Sequence, residues 1–126
     1  MTDLRNLKVL EAALCLVETV HDAVDRLDSY RAPRLRSQLL GAIDSVPANI
    51  AEGARGTRPE FAHYLRVALR STDEAGVHLL IAKRIRALPL DQYWRCENRR
   101  VTVCRMLNQL IRSVEEQHAR QTQRPL

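Results

Sequence analysis

Three Glu-x-x-His pairs, Glu18 with His21, Glu60 with His63 and Glu115 with His118, are the residues of this chain best suited to chemistry. In a helical bundle, two such pairs plus two further inward glutamates at one level build a di-iron carboxylate site. The arrangement falls short of that. If the chain runs up and down, the second and third pairs come to one end near Glu52, while the first lies toward the other. His63 shares the outward face of its helix with Arg66 and Arg70, and His118 lies near the end of the helical pattern. No metal and no other cofactor is expected. Hydrolysis and phosphoryl transfer have no better footing, because the sequence holds no glycine-rich phosphate loop, no GxSxG and no HExxH, and Ser45 has no neighbouring histidine to activate it. A non-enzymatic protein is expected.

A second polar group is Asn49 with Glu52, three residues apart on one helical face. It lies in the nonapeptide from Ser45 to Gly53, Ser-Val-Pro-Ala-Asn-Ile-Ala-Glu-Gly. Leu35, Leu39, Ile43, Val46 and Ile50 recur at three- and four-residue steps, so this stretch reads as an amphipathic helix with Pro47 inside it. A proline there removes an amide donor and crowds the Ile43 carbonyl, at about 3 kcal/mol in an ordinary helix. A kink that wraps the helix round the core, with Ala48 and Ala51 letting a neighbour approach, accounts for it. Gly53 suits a chain about to leave the helix. Asn49 and Glu52 either hold the helix end and its loop together or form a small polar site.

The elements that must position these residues are helices. The chain has 126 residues, 4% aromatics and only four glycines, which suits a single all-α domain and starves a sheet. Periodicity places helices at about 4–27, 34–53, 58–86 and 91–117, an antiparallel up-down-up-down four-helix bundle over residues 1–120 with a frayed tail at 121–126. The first helix carries two apolar stripes, Leu7, Leu10, Leu14, Val17, Val24 and Val9, Ala13, Leu16, Val20, Ala23, Leu27, more than one core needs, so it is expected to meet a second subunit as well. Pro33 opens the second helix. Thr57 and Glu60 form a capping box for the third, with Pro59 in its first turn. Phe61, Leu65, Ala68, Leu69, Ala75, Leu79, Ala82 and Ile85 make its inward stripe, and Gly76 marks a close helix crossing. Asp91 is the candidate cap of the fourth helix, whose inward residues are Tyr93, Trp94, Val101, Cys104, Leu107, Ile111 and Val114.

The nonapeptide, followed by Glu60, Phe61, Tyr64, Leu65, Ala68, Ser71 and Glu74, resembles the bacterial four-helix bundle family that includes proteins encoded by intervening sequences in 23S ribosomal RNA genes. The resemblance runs from about Leu4 to about Glu116. More distantly the chain is similar to the accessory protein of diversity-generating retroelements, which binds nucleic acid and a reverse transcriptase. The resemblance implies a homo-oligomer, most often a five-membered ring, and marks Ser45, Pro47, Asn49, Glu52, Gly53, Glu60, Tyr64 and Glu74 as the family motif. Relatives usually carry basic residues where this chain has Leu40 and Gly41, and a small residue where it has Arg70.

Composition narrows the partners. Cys15, Cys96 and Cys104 form no CxxC pair and read as small hydrophobes of a reducing compartment. With no signal peptide and no apolar run long enough for a membrane span, a cytoplasmic protein with no membrane contact is expected. The net charge is +5 and 18 of the 20 basic residues are arginine; through Asp28 the chain carries three basic and six acidic side chains, afterwards 17 and nine. Two functions follow. Arg34, Arg36, Arg55, Arg58, Arg66, Arg70, Arg99 and Arg100, repeated round an oligomer, would gather the phosphates of RNA or DNA, by charge and shape because Phe61, Tyr64, Tyr93 and Trp94 are poorly placed to stack bases. The alternative is a ring-shaped protein-interaction scaffold, in which the same arginines pair with the acidic strip of the first helix or are merely solvated.

Overall fold

The computed structural model describes residues 7–123, and among these the chain is helix and turn with no strand. Four helices follow one another: α1 (Lys8–Val24), α2 (Leu35–Ala54), α3 (Arg58–Arg84) and α4 (Leu90–Thr122). Each packs on two neighbours, α1 and α3 both lying against α2 and α4. Side-chain pairs give the directions. Arg36 at the start of α2 reaches Asp25 just past α1 (3.6 Å), Arg95 early in α4 reaches Asp22 late in α1 (2.8 Å), and Arg66 early in α3 reaches Glu115 late in α4 (2.5 Å). An up-down-up-down bundle makes these contacts.

One core cluster runs through the four helices. Leu16, Val20, Leu39, Ile43, Val46, Ile50, Leu65, Leu79, Val103 and Leu107 are all 1% exposed or less. Burial of each such side chain contributes roughly 1.5–3 kcal/mol before the cost of ordering it. In and around α1 the stripe Val9, Ala13, Leu16, Val20, Ala23 and, in the turn that follows, Leu27 fills this core together with Val24, while Leu7, Leu10 and Val17 stay half-buried and Leu14 is exposed.

The helix bounds differ from the expectation at particular places. The expected start of α1 at Leu4 lies outside the described residues, and α1 closes at Val24, three residues early. Pro33 stands one residue before Arg34, which caps α2 through its backbone alone. α4 begins at Leu90 on Pro89, so Asp91 sits in its first turn and not at its cap. The fourth helix, expected to end at about 117 with a frayed tail from 121, runs to Thr122; no glycine or proline stops it, and Gln121 accepts a hydrogen bond from the Arg58 guanidinium of α3. The end of the expected tail, residues 124–126, lies outside the described residues.

The inward stripe of α4 needs a larger correction. Trp94 and Val101 are both 46% exposed, and Cys96 and Val103 take the buried positions instead. Ile85 of the α3 stripe is exposed too, since it lies past the last helical residue.

Local sequence explains the turns. Thr57 Oγ1 accepts from the Glu60 amide and the Glu60 carboxylate accepts from the Thr57 amide, so the capping box is complete. α3 ends in a Schellman motif: the Ala87 amide donates to Ala82 O (2.9 Å) and the Arg86 amide to Lys83 O (3.1 Å). Arg86 occupies the left-handed position with φ 59°, where glycine is usual. The Asp28 amide donates to Ala87 O (2.7 Å) and the Arg31 guanidinium to Ile85 O (3.2 Å), which ties the α1–α2 turn to the α3–α4 turn at one end of the bundle.

Candidate nucleic-acid interface

The polar residues of the nonapeptide bond to their own helix. Pro47 lies inside α2, which continues through it to Ala54. On either side of it, Ser45 Oγ donates to Ala42 O (2.7 Å) and Asn49 Nδ2 to Ser45 O (2.8 Å). These bonds lie along the backbone that proline deprives of one amide. Glu52 is exposed one turn further on. Ser45 and Asn49 thus have local structural partners, and Glu52 converges with neither.

Gly53 has a role other than the one its sequence position suggested. It lies within α2, buried, and no glycine has a positive φ. A Cβ on Gly53 would lie 2.6 Å from Tyr64 Cβ and 3.3 Å from Phe61 Cα. The glycine therefore lets α2 and α3 touch at the start of α3. Tyr64, in turn, stacks edge-on against His63. Glu60 is engaged in the capping box, which holds its carboxyl below the usual glutamate range, and Glu74 lies 3.4 Å from His78 Nε2. Gly53, Glu60 and Tyr64 thus gather where α2 meets the start of α3, while Ser45, Asn49 and Glu74 have partners on their own helices.

The Glu-x-x-His pairs are separated in the same way. Glu115 pairs with Arg66, and His21 Nε2 lies 2.7 Å from Asp44. Among the described residues no three His, Cys, Asp or Glu side chains come together as metal ligands would. A groove of about 810 Å³ opens between Leu7, the start of α3 and the end of α4, with Thr57, Arg58, Phe61 and His118 in its wall.

The eight candidate arginines do not share one surface. Arg34 and Arg36 stand at the end where the α1–α2 and α3–α4 turns meet, Arg55, Arg58 and Arg66 at the other, and Arg70 and Arg99 between. A helix rises 1.5 Å per residue, so the two ends of α3 are about 39 Å apart. Arg100 is held within the bundle. Its side chain is 15% exposed, Glu97 clamps it at 2.5 and 2.8 Å, Cys104 Sγ lies 3.5 Å away and Asp73 3.9 Å away. Its guanidinium fills the space that a side chain on Gly76 would need, 2.7 Å from the missing Cβ. Gly76 therefore makes room for an arginine where a helix–helix crossing was expected. Burial pushes the thiols of Cys96 and Cys104 up to about 11.

What the candidate set missed is the concentration of charge at the turn end. Arg26, Arg31, Arg34, Arg36, Lys83, Arg84 and Arg86 gather there against Asp25, Asp28 and Asp91, a net of +4 in a chain of +5. Lys83 and Arg84 suit the negative end of the α3 dipole, whereas Arg34 and Arg36 oppose that of α2. Tyr30, absent from the aromatics weighed above, stands 96% exposed among these arginines. The signal lay in the sequence: the up-down-up-down order brings the first and third turns together, and both are flanked by arginine.

The four packed helices, with arginines gathered at one end, define a small helical bundle. The chain belongs to the 23S rRNA-intervening sequence protein family, whose model matches residues 5–109. A search among curated proteins finds no significant match. Among the described residues no helix is long and apolar enough to cross a membrane.

Proposed function

We propose that this protein is a non-enzymatic cytoplasmic homo-oligomer, five-membered on the family resemblance, that binds RNA or DNA through phosphate contacts at its basic end. The observation that carries this reading is the excess of seven basic over three acidic side chains where the two turns meet. Repetition of that end in an oligomer multiplies the phosphates neutralised, and each adds to the salt dependence of binding. Arg26, Arg34, Arg84 and Arg86 have no carboxylate within ion-pair distance among the described residues, so their donors are open to phosphate. Tyr30 offers one ring on which an unpaired base can stack, but a single ring gives no sequence code.

The test is fluorescence anisotropy of a structured RNA and a duplex DNA with the purified protein at 50 and 200 mM salt. Affinity should fall by orders of magnitude between the two salts, and Arg34→Glu with Arg84→Glu should weaken binding at low salt at least tenfold. Arg55→Glu with Arg58→Glu, at the far end, should weaken it less. Absence of binding at low salt by a folded protein overturns the reading and leaves the protein-interaction scaffold.

A further inference from the structure

The α1–α2 turn holds one aromatic ring out in the water. Tyr30 is 96% exposed, against 58% for the next most open large apolar side chain, so its ring packs on nothing of its own chain. The backbone beneath that ring is fixed. The amides of Tyr30 and Arg31 both donate to Asp28 Oδ1 (3.1 and 3.3 Å), and the Ala32 amide donates to Asp28 O (3.1 Å). The Asp28 amide and the Arg31 guanidinium then tie the turn to Ala87 O and Ile85 O (2.7 and 3.2 Å). A ring left in water forgoes the stability that its burial would give. Held on a pinned turn, it costs little to place against a ligand, because only two side-chain torsions remain to be fixed.

The charges at this end divide into those the fold uses and those it does not. All three carboxylates have partners: Asp25 lies 3.6 Å from Arg36 and Asp28 3.4 Å from Arg31, while Asp91 accepts from the Gln92 side-chain amide (3.2 Å). Lys83 lies over the Tyr93 and Trp94 rings, 5.0 Å from each. Arg26 and Arg34 stand four residues before and after Tyr30, and Arg84 and Arg86 lie on the facing side where the two turns meet. These four guanidiniums have no carboxylate partner among the described residues.

We infer that this end selects nucleic acid in its unpaired form, with one base per copy laid on the Tyr30 ring and the neighbouring phosphates on the free arginines. The inference rests on the nucleic-acid binding proposed above and names the form of strand that is bound. Charge alone points the other way, since a duplex carries its phosphates more densely than a single strand. Within a duplex, however, both faces of every base are covered by the bases above and below, and the Tyr30 ring finds none to stack on. A single strand or a loop offers open faces, and each base stacked on an aromatic ring tightens binding by about 5- to 150-fold.

The test compares an oligothymidylate of about 30 nucleotides, longer than one stacking site needs, with its duplex with oligoadenylate, by fluorescence anisotropy at low salt. Wild type should bind the single strand more tightly than the duplex. Tyr30→Ala should weaken single-strand binding at least about fivefold and duplex binding less than about twofold. Tyr30→Phe, which keeps the ring, should match wild type on both. The side chain packs on nothing, so both variants should fold as wild type does, and circular dichroism with a cooperative melt verifies this. A wild-type preference for the duplex overturns the inference and leaves phosphate binding standing. So does single-strand affinity unchanged in Tyr30→Ala, equal loss on the two forms, or a loss in Tyr30→Phe as large as in Tyr30→Ala. Absence of binding to either form by folded wild type overturns both the inference and the reading beneath it.

Discussion

Replacing glycine by alanine at two points of α2 should change stability in opposite directions. Gly41 and Gly53 are both helical, neither has a positive φ, and alanine gains about 1 kcal/mol over glycine in a helix interior. Around Gly41 nothing lies within 4 Å of an added Cβ, so the full gain should appear. At Gly53 the new carbon meets Tyr64 Cβ at 2.6 Å and Phe61 Cα at 3.3 Å. Neither atom is the free end of a side chain, so α2 and α3 must separate. Overpacking of this kind costs typically about 1–3 kcal/mol, which leaves Gly53→Ala destabilised by up to about 2 kcal/mol after the helical gain. Urea unfolding followed by circular dichroism at one fixed protein concentration measures both, the concentration being held because assembly shifts apparent stability. Equal stabilisation of the two variants would refute the close α2–α3 contact.

Arg86→Gly should stabilise the fold by about 0.5–1 kcal/mol, since a side chain in the left-handed region costs roughly 1–2 kcal/mol and glycine gives part of this back as chain entropy; Arg86→Ala, which removes charge but keeps Cβ, should not, and equal midpoints would sink the argument. The lowered carboxyl of Glu60 contributes stability that is present above the ordinary glutamate value and is lost as pH falls through its lower folded value, so acid should destabilise wild type more than Glu60→Gln. Parallel acid titrations of the two would exclude this coupling. Cys96, fully buried and with its thiol pushed up to about 11, should react with a thiol reagent at pH 8 only at the rate of unfolding, after Cys15. Peptide mapping of partial labelling reads the order, and early modification of Cys96 would contradict its burial.

Much of the fold was legible because its determinants are local. The 3.6-residue pattern marked four helices, and Thr57 with Glu60 announced the start of α3 within four residues of sequence. What could not be read depends on the neighbour. α4 has apolar residues on more than one side, and nothing in its own sequence says whether Trp94 and Val101 or Cys96 and Val103 face α1 and α3; packing selected the smaller pair. Gly53 looked like a helix stop, yet its meaning lies in Tyr64, eleven positions away on another helix. The arginines were chosen as outward by pattern, and Arg100 defeats that rule because its long stem lets the charged head turn inward to Glu97. The basic end was overlooked because its two halves, residues 26–36 and 83–86, lie far apart in the chain.

The seating of Arg100 over Gly76 makes the fitness of one site conditional on the other. With Arg100 in place, a methyl at position 76 must dislodge a clamped guanidinium; with a short residue at position 100, the same methyl fills a hollow and strengthens α3. The effect of Gly76→Ala changes sign with its background, so an evolving sequence can enlarge position 76 only after it has shortened position 100. Homologues should therefore divide into two exclusive lineages at this pair, Gly with Arg or a larger residue with a smaller one, and the mixed combination of two large residues should be missing between them.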